Sequence, residues 1–132
     1  EKINKLSRHY NLRVANVFHA GDGNLHPLIL YDAGIPGELE KTEEFGNKIL
    51  KICIEAGGSI TGEHGVGVEK LDAMCYQYSE AELDVFHQIK AAFDPHALLN
   101  PGKAVPTLHR CAELGNMHVH HGNLPHPELE RF

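Results

Sequence analysis

The sequence predicts an α+β fold: a small antiparallel sheet covered on one side by helices, followed by C-terminal helices and an extended tail. Three observations predict it. Apolar residues recur at helical spacing near the start and again from Glu38 to Ala56. Two short stretches rich in β-branched and aromatic residues lie between those helices, around an Asp-Gly pair. A serine-led capping box, Ser79-Glu80-Ala81-Glu82, opens a later helix. Strands and helices that come in runs rather than strict alternation favour segregated layers.

Glu1 to about Asn11 reads as a helix, with Ile3, Leu6 and Tyr10 at helical spacing and Asn11 as its stop. Arg13 to His19 and Leu25 to Asp32 read as strands; Pro27 makes the second an edge or bulged strand because it donates no ladder bond. Ala33-Gly34-Ile35-Pro36-Gly37 is a loop. Glu38 to Ala56 is the strongest helix, with Leu39, Thr42, Gly46, Ile49, Cys53 and Ala56 on one stripe and Gly57-Gly58 as its cap. Ser59 to Gly67 reads as a third short strand running into a glycine-rich turn, and Glu69 to about Tyr78 as a helix. The helix opened at Ser79 buries Leu83, Phe86, Ile89 or Lys90, and Phe93, and stops at Asp94-Pro95. Asn100-Pro101-Gly102-Lys103 is a turn, and from Ala104 to Phe132 an extended, histidine-rich arm is expected.

The length of 132 residues suits roughly one domain with a real core. No run of 18 apolar residues occurs, so no membrane-spanning helix is expected. The start lacks both a signal-peptide apolar region and an initiator Met, and three strands are thin for a free-standing sheet; a segment cut from something longer is expected. A formal net charge of -6 and no basic block argue against nucleic-acid partners. Cys53, Cys75 and Cys111 form no disulfide framework by spacing, which suggests a reducing, cytoplasmic compartment. The helix face around Cys53 and Ile49, together with any apolar surface left by the missing domain, predicts self-association. Eleven histidines favour metal chemistry.

Two segments carry that chemistry: His19-Ala20-Gly21-Asp22-Gly23-Asn24-Leu25-His26 and Gly62-Glu63-His64-Gly65. If Asp22-Gly23 is a two-residue type I′ turn, His19 stands directly opposite His26, and the imidazoles can converge on one cation. Glu63, freed by Gly62, Gly65 and Gly67, would be the third ligand. Two histidines and one carboxylate leave open coordination positions, as catalytic sites do. His64 would remain as a general base. Asp22 is a turn former, and Asn24 either turn chemistry or a donor behind the ligands. His9, His87 and His96 read as ordinary surface or boundary residues, and His109, His118, His120, His121 and His126 as a solvated tail or, with Cys111, a second metal site. On spacing alone, a flavin-independent iron or zinc enzyme and a non-catalytic module with structural histidines both stay open.

His19 to His26, Gly62-Glu63-His64-Gly65-Val66-Gly67 and Asn100-Pro101-Gly102-Lys103 together resemble the C-terminal region of FAD-linked oxidases. That family includes D-lactate and D-2-hydroxyglutarate dehydrogenases and the FAD subunits of bacterial glycolate oxidases; Leu108 to Cys111 and the ending Leu129 to Phe132 also look like the last of these. The resemblance implies that residues 1–103 are the C-terminal part of a substrate domain with a ferredoxin-like sheet, that 104–132 are a tail, and that the FAD-binding domain lies outside this chain. It implies oxidation of glycolate or a similar 2-hydroxy acid, with hydride transfer to FAD. It assigns His19, His26 and Glu63 to a divalent metal (zinc, or iron or manganese), His64 to the base, and Asn100 to the neighbourhood of the flavin. It also implies iron–sulfur and other oxidase subunits as partners, and no membrane span is expected in this chain.

Overall fold

The computed structural model describes residues 1–107 and Cys111. They form two compact units, Glu1–His64 and a second beginning at Gly65.

The first unit runs α1 (Lys2–Tyr10), β1 (Arg13–His19), β2 (Asn24–Leu30) and α2 (Glu38–Glu55). α1 stops where Asn11 turns left-handed at φ 50°, a conformation its short polar side chain tolerates. β1 and β2 pair antiparallel from Arg13 opposite Leu30 to His19 opposite Asn24. α2 ends in a Schellman motif: the Gly57 N–H returns to the Ile54 carbonyl and the Gly58 N–H to that of Cys53, with Gly57 at φ 81°.

Side chains alternate across a strand, so the hairpin has two distinct faces. Val14 and Ile29, paired in register, pack on a core of Tyr10, Leu12, Phe45 and Ile49. The Tyr10 and Phe45 rings stack with centroids 5.3 Å apart, and the Tyr10 hydroxyl donates to Glu44 at 2.7 Å. Burial, and then the Glu44 carboxylate, push the Tyr10 phenol up to about 12. The opposite face carries Ala15, Val17, His19, Asn24, His26, Leu28 and Leu30 and is open; Val17, Leu28 and Leu30 are exposed.

Three expectations change here. Ser59 to Gly67 is not a strand but a series of bends, so the sheet has two strands among the described residues. Gly65 and Gly67 sit at φ 78° and 56°, outside the extended region a strand requires. On α2, Phe45 is fully buried while Leu39 is exposed. Leu39 lies about 120° around the helix from Phe45, and the larger aromatic surface takes the core. Ile49 is therefore buried and Cys53 packs against the same core, so this face is not the adhesive surface expected of it.

The second unit contains α3 (Leu71–Gln77) and α4 (Glu80–Phe93). The expected capping box opens α4: the Glu82 N–H donates to Ser79 Oγ, and the Ser79 N–H to Glu82 Oε2 at 2.7 Å. Leu83 is buried and Phe86 half-buried, but Ile89 and Phe93 are exposed, so the expected stripe holds only in the first half of the helix. Asp94 ends α4 and is buried; it accepts from the Lys90 ammonium and from the Leu98 and Leu99 N–H groups. Asn100 to Lys103 is a turn, closed by the Lys103 N–H to the Asn100 carbonyl at 3.3 Å. Pro106 is buried and its carbonyl faces His87 Nε2 at 2.9 Å.

Cys75 and Cys111 are joined in a disulfide, which corrects the reading of the cysteines as no disulfide framework; Cys53 is free. Their spacing of 36 residues gave no sign of the pairing, which follows from Cα atoms brought 5.3 Å apart. The tail histidines His109, His118, His120, His121 and His126 lie outside the described residues. Among the described residues, no helix is long and apolar enough to cross a membrane.

The Lys90 ammonium, then the Leu99 and Leu98 N–H groups, hold the Asp94 carboxyl below its usual range against the opposing pull of burial. A carboxyl with a lowered folded pKa stabilises above its unfolded value, about pH 4, and that contribution vanishes as pH falls through the folded value. Chemical denaturation below about pH 4 should therefore show a loss of stability that Asp94→Asn reduces.

Candidate metal centre

The hairpin turn decides where the histidines go. Ala20–Asp22 form one 3-10 turn, closed by Gly23 at φ 68° with its N–H toward the Ala20 carbonyl at 3.4 Å. This is not the expected type I′ turn, which needs positive φ at both central residues; Gly23 has it and Asp22 does not. The loop is thus four residues long, and it asks for only one left-handed residue, which glycine provides without a Cβ clash.

The register moves accordingly. His19 faces Asn24 and His26 faces Val17, so the two histidines are not directly opposed as expected. The shift is by two residues, and an even shift keeps both on the same face. They become diagonal neighbours, which long side chains can still bridge. Their ring centroids are 5.4 Å apart with the planes at 87°.

The bends at Gly62 to His64 bring the second segment over this corner. Glu63 Oε1 lies 2.7 Å from His26 Nε2 and 3.9 Å from His19 Nε2. It also accepts from Asn24 Nδ2 at 3.0 Å. The His64 ring centroid is 5.1 Å from that of His26. Glu63 and His64 thus both reach His26, as neighbours in a regular strand could not. The His26 side chain is 19 % exposed, against 63 % for His19 and 48 % for Glu63, so the cluster is fixed on its inner side and open outward.

One ligand atom each from His19, His26 and Glu63 lies within 4.8 Å of the others. Donors bound at about 2.0–2.1 Å around a four-coordinate ion stand about 3.3 Å apart. The observed 2.7 and 3.9 Å bracket that spacing, so small side-chain rotations would close the three around a cation. The set of two imidazoles and one carboxylate fits a divalent metal with coordination positions left for a substrate.

The sequence left the role of Asn24 open, and it is the donor to Glu63. Its place was legible: two residues before His26 in a strand is the same face. Gly62 has a role that its sequence context did not show. It takes no left-handed conformation; a Cβ there would fall 2.5 Å from Asn24 Oδ1. Asn100 lies in the second unit, at the head of its turn, with φ 47°.

Residues 1–104 match the family described as FAD linked oxidases, C-terminal domain. The chain belongs to that family. Among FAD-linked oxidases and their relatives, it is 67% identical to the glycolate oxidase subunit GlcD of Escherichia coli over 132 residues. That is all of this chain and 26% of that protein. It is 42% identical to GlcD of Bacillus subtilis over 101 residues, 76% of this chain and 22% of that one. It is 40% identical over 93 residues to mitochondrial D-lactate dehydrogenase [cytochrome] 1 of Saccharomyces cerevisiae, 70% of this chain and 16% of that protein. The chain therefore spans about a quarter or less of these relatives. The family match holds the whole cluster and extends through Asn100 to Lys103.

Proposed function

We propose that this chain is the substrate-side portion of an FAD-dependent dehydrogenase that oxidises glycolate, or a D-lactate-like 2-hydroxy acid, to the 2-oxo acid. The observation that carries the reading is the convergence of His19, His26 and Glu63, with His64 against His26. Membership of the FAD-linked oxidases favours flavin chemistry over a flavin-independent iron or zinc enzyme. Three donors meeting at one point favour catalysis over a purely structural role for the histidines.

In this reading His19, His26 and Glu63 hold a divalent metal. Zinc, iron and manganese all accept these ligands, and zinc suits the two imidazoles well. When bound, the cation would acidify and orient the substrate hydroxyl, while FAD, held mostly by parts outside this chain, would accept a hydride from the α-carbon. His64 takes the hydroxyl proton. The α-hydrogen leaves with its electron pair and the carbon–oxygen bond becomes double, so glycolate gives glyoxylate. The open side of the cluster leaves room for a small acid to enter. Asn100, held left-handed at the head of its turn, would lie near the flavin of the intact enzyme.

The partners proposed are an iron–sulfur subunit and other oxidase subunits, a reading supported by the description of the Escherichia coli relative as a subunit. Self-association of the isolated segment belongs to the same proposal. Its support is the exposed apolar residues of the open sheet face, Val17, Leu28 and Leu30. A cytoplasmic location, with membrane association through those partners, is also proposed.

In the intact flavoprotein, His19→Ala or Glu63→Gln should lower metal content, read by elemental analysis after dialysis, and turnover with it. Unchanged metal and turnover would remove the ligand assignment. His64→Gln should leave metal content in place and reduce turnover roughly 10²–10⁴-fold, the usual contribution of a general base. Disulfides seldom persist in a reducing cytosol. Rapid alkylation of freshly lysed cells distinguishes the compartments: Cys75 and Cys111 labelled as thiols would support the cytoplasmic proposal, and a pair resistant to alkylation until reduced, the outcome the Cys75–Cys111 disulfide favours, would point to an oxidising compartment.

A further inference from the structure

We infer that Asn24 is a positioning residue for Glu63, and that Gly62 is glycine in order to leave room for it. This rests on the reading of His19, His26 and Glu63 as metal ligands. Among the described residues, Glu63 Oε1 meets His26 Nε2, His19 Nε2 and Asn24 Nδ2, and of these Asn24, at 3.0 Å, is the one that does not itself ligate in that reading. The two imidazoles would both turn to a cation. The Asn24 amide would not, so it can keep holding the carboxylate when the ion binds.

Register explains why Asn24 does this. It stands directly opposite His19 and two residues before His26, so all three share one corner of the open face. A carboxamide there reaches what neither strand neighbour does. An amide donor also keeps its N–H through the whole accessible pH range, so its hold on Glu63 does not depend on how the histidines are protonated.

Glu63 oxygens offer several acceptor directions, and the Asn24 bond takes one at Oε1. That restricts how the carboxylate can turn, and it favours attachment to the metal through one oxygen over a two-oxygen grip. Groups that orient ligands in this way commonly change metal affinity 10–100-fold when removed.

Gly62 completes the device from below. A Cβ on it would approach Asn24 Oδ1 to 2.5 Å, Cγ to 2.8 Å and Nδ2 to 3.1 Å. The carboxamide therefore occupies the space a side chain at position 62 would need. Asn24 cannot swing away cheaply, because its amide is held by Glu63 on the far side. An alanine at position 62 would push the amide off the carboxylate without replacing any ligand.

The test is zinc affinity of the intact flavoprotein, measured by competition with a chelator, alongside thermal melts of the metal-free forms. Asn24→Ala should bind zinc about 10–100-fold more weakly, with a metal-free melt like that of the wild type. Gly62→Ala should weaken zinc to a similar extent. The double variant should be no weaker than either single one, because both remove the same contact. Asn24→Leu, which keeps the bulk and loses the donor, should behave as Asn24→Ala and replaces it should the alanine form fail to fold. In cobalt(II)-substituted protein, the visible ligand-field bands should shift in each variant. A wild type that holds zinc, with Asn24→Ala and Asn24→Leu holding it as tightly, would overturn this inference and leave the ligand assignment standing. Additive losses in the double variant would overturn the role given to Gly62. A wild type that binds no zinc, like His26→Ala, would overturn the ligand reading itself and this inference with it.

Discussion

One carboxylate oxygen organises the site. Glu63 Oε1 draws His26 and Asn24 to hydrogen-bonding distance and His19 to within 4 Å. Those three residues come from both strands of a hairpin, and Glu63 comes from bends far along the chain. Without that carboxylate, two imidazoles and an amide would share an open corner with nothing to gather them. With it, the corner becomes a set of convergent donors that a divalent cation fits.

The hairpin can present this corner only because something fixes its other face. A two-stranded sheet is marginal by itself in water. Here Val14 and Ile29 pack on the layer formed by α1 and α2, where the stacked rings of Tyr10 and Phe45 form the floor. The Tyr10 hydroxyl on Glu44 ties the end of α1 to the middle of α2, at a point where burial would otherwise leave a polar atom unsatisfied. Core packing on one face and polar chemistry on the other follow from the same alternation of side chains.

The second unit is held by different means. A capping box begins α4, and a buried carboxylate ends it by collecting one ammonium and two backbone N–H groups. A disulfide fastens Cys111 to α3. These are local or covalent constraints, suited to a region with short helices and many turns, where a large apolar core is hard to build.

Local chemistry was legible in the sequence. The ends of α1, β1 and α2, the glycine cap after Glu55 and the box at Ser79 each depend on residues within a turn or two of one another, and the sequence displays those directly. That His19 and His26 share one face was legible too, because an even slip in register leaves a face unchanged. Distance-dependent facts were not. The four-residue loop, the bends in place of a third strand, the burial of Phe45 in preference to Leu39, the Cys75–Cys111 bond and the fit of Asn24 against Gly62 are each decided by what a residue meets across space. Short-range order is fixed by backbone geometry that every residue carries with it, whereas packing and pairing depend on which distant surface arrives, and only the folded chain brings that surface in.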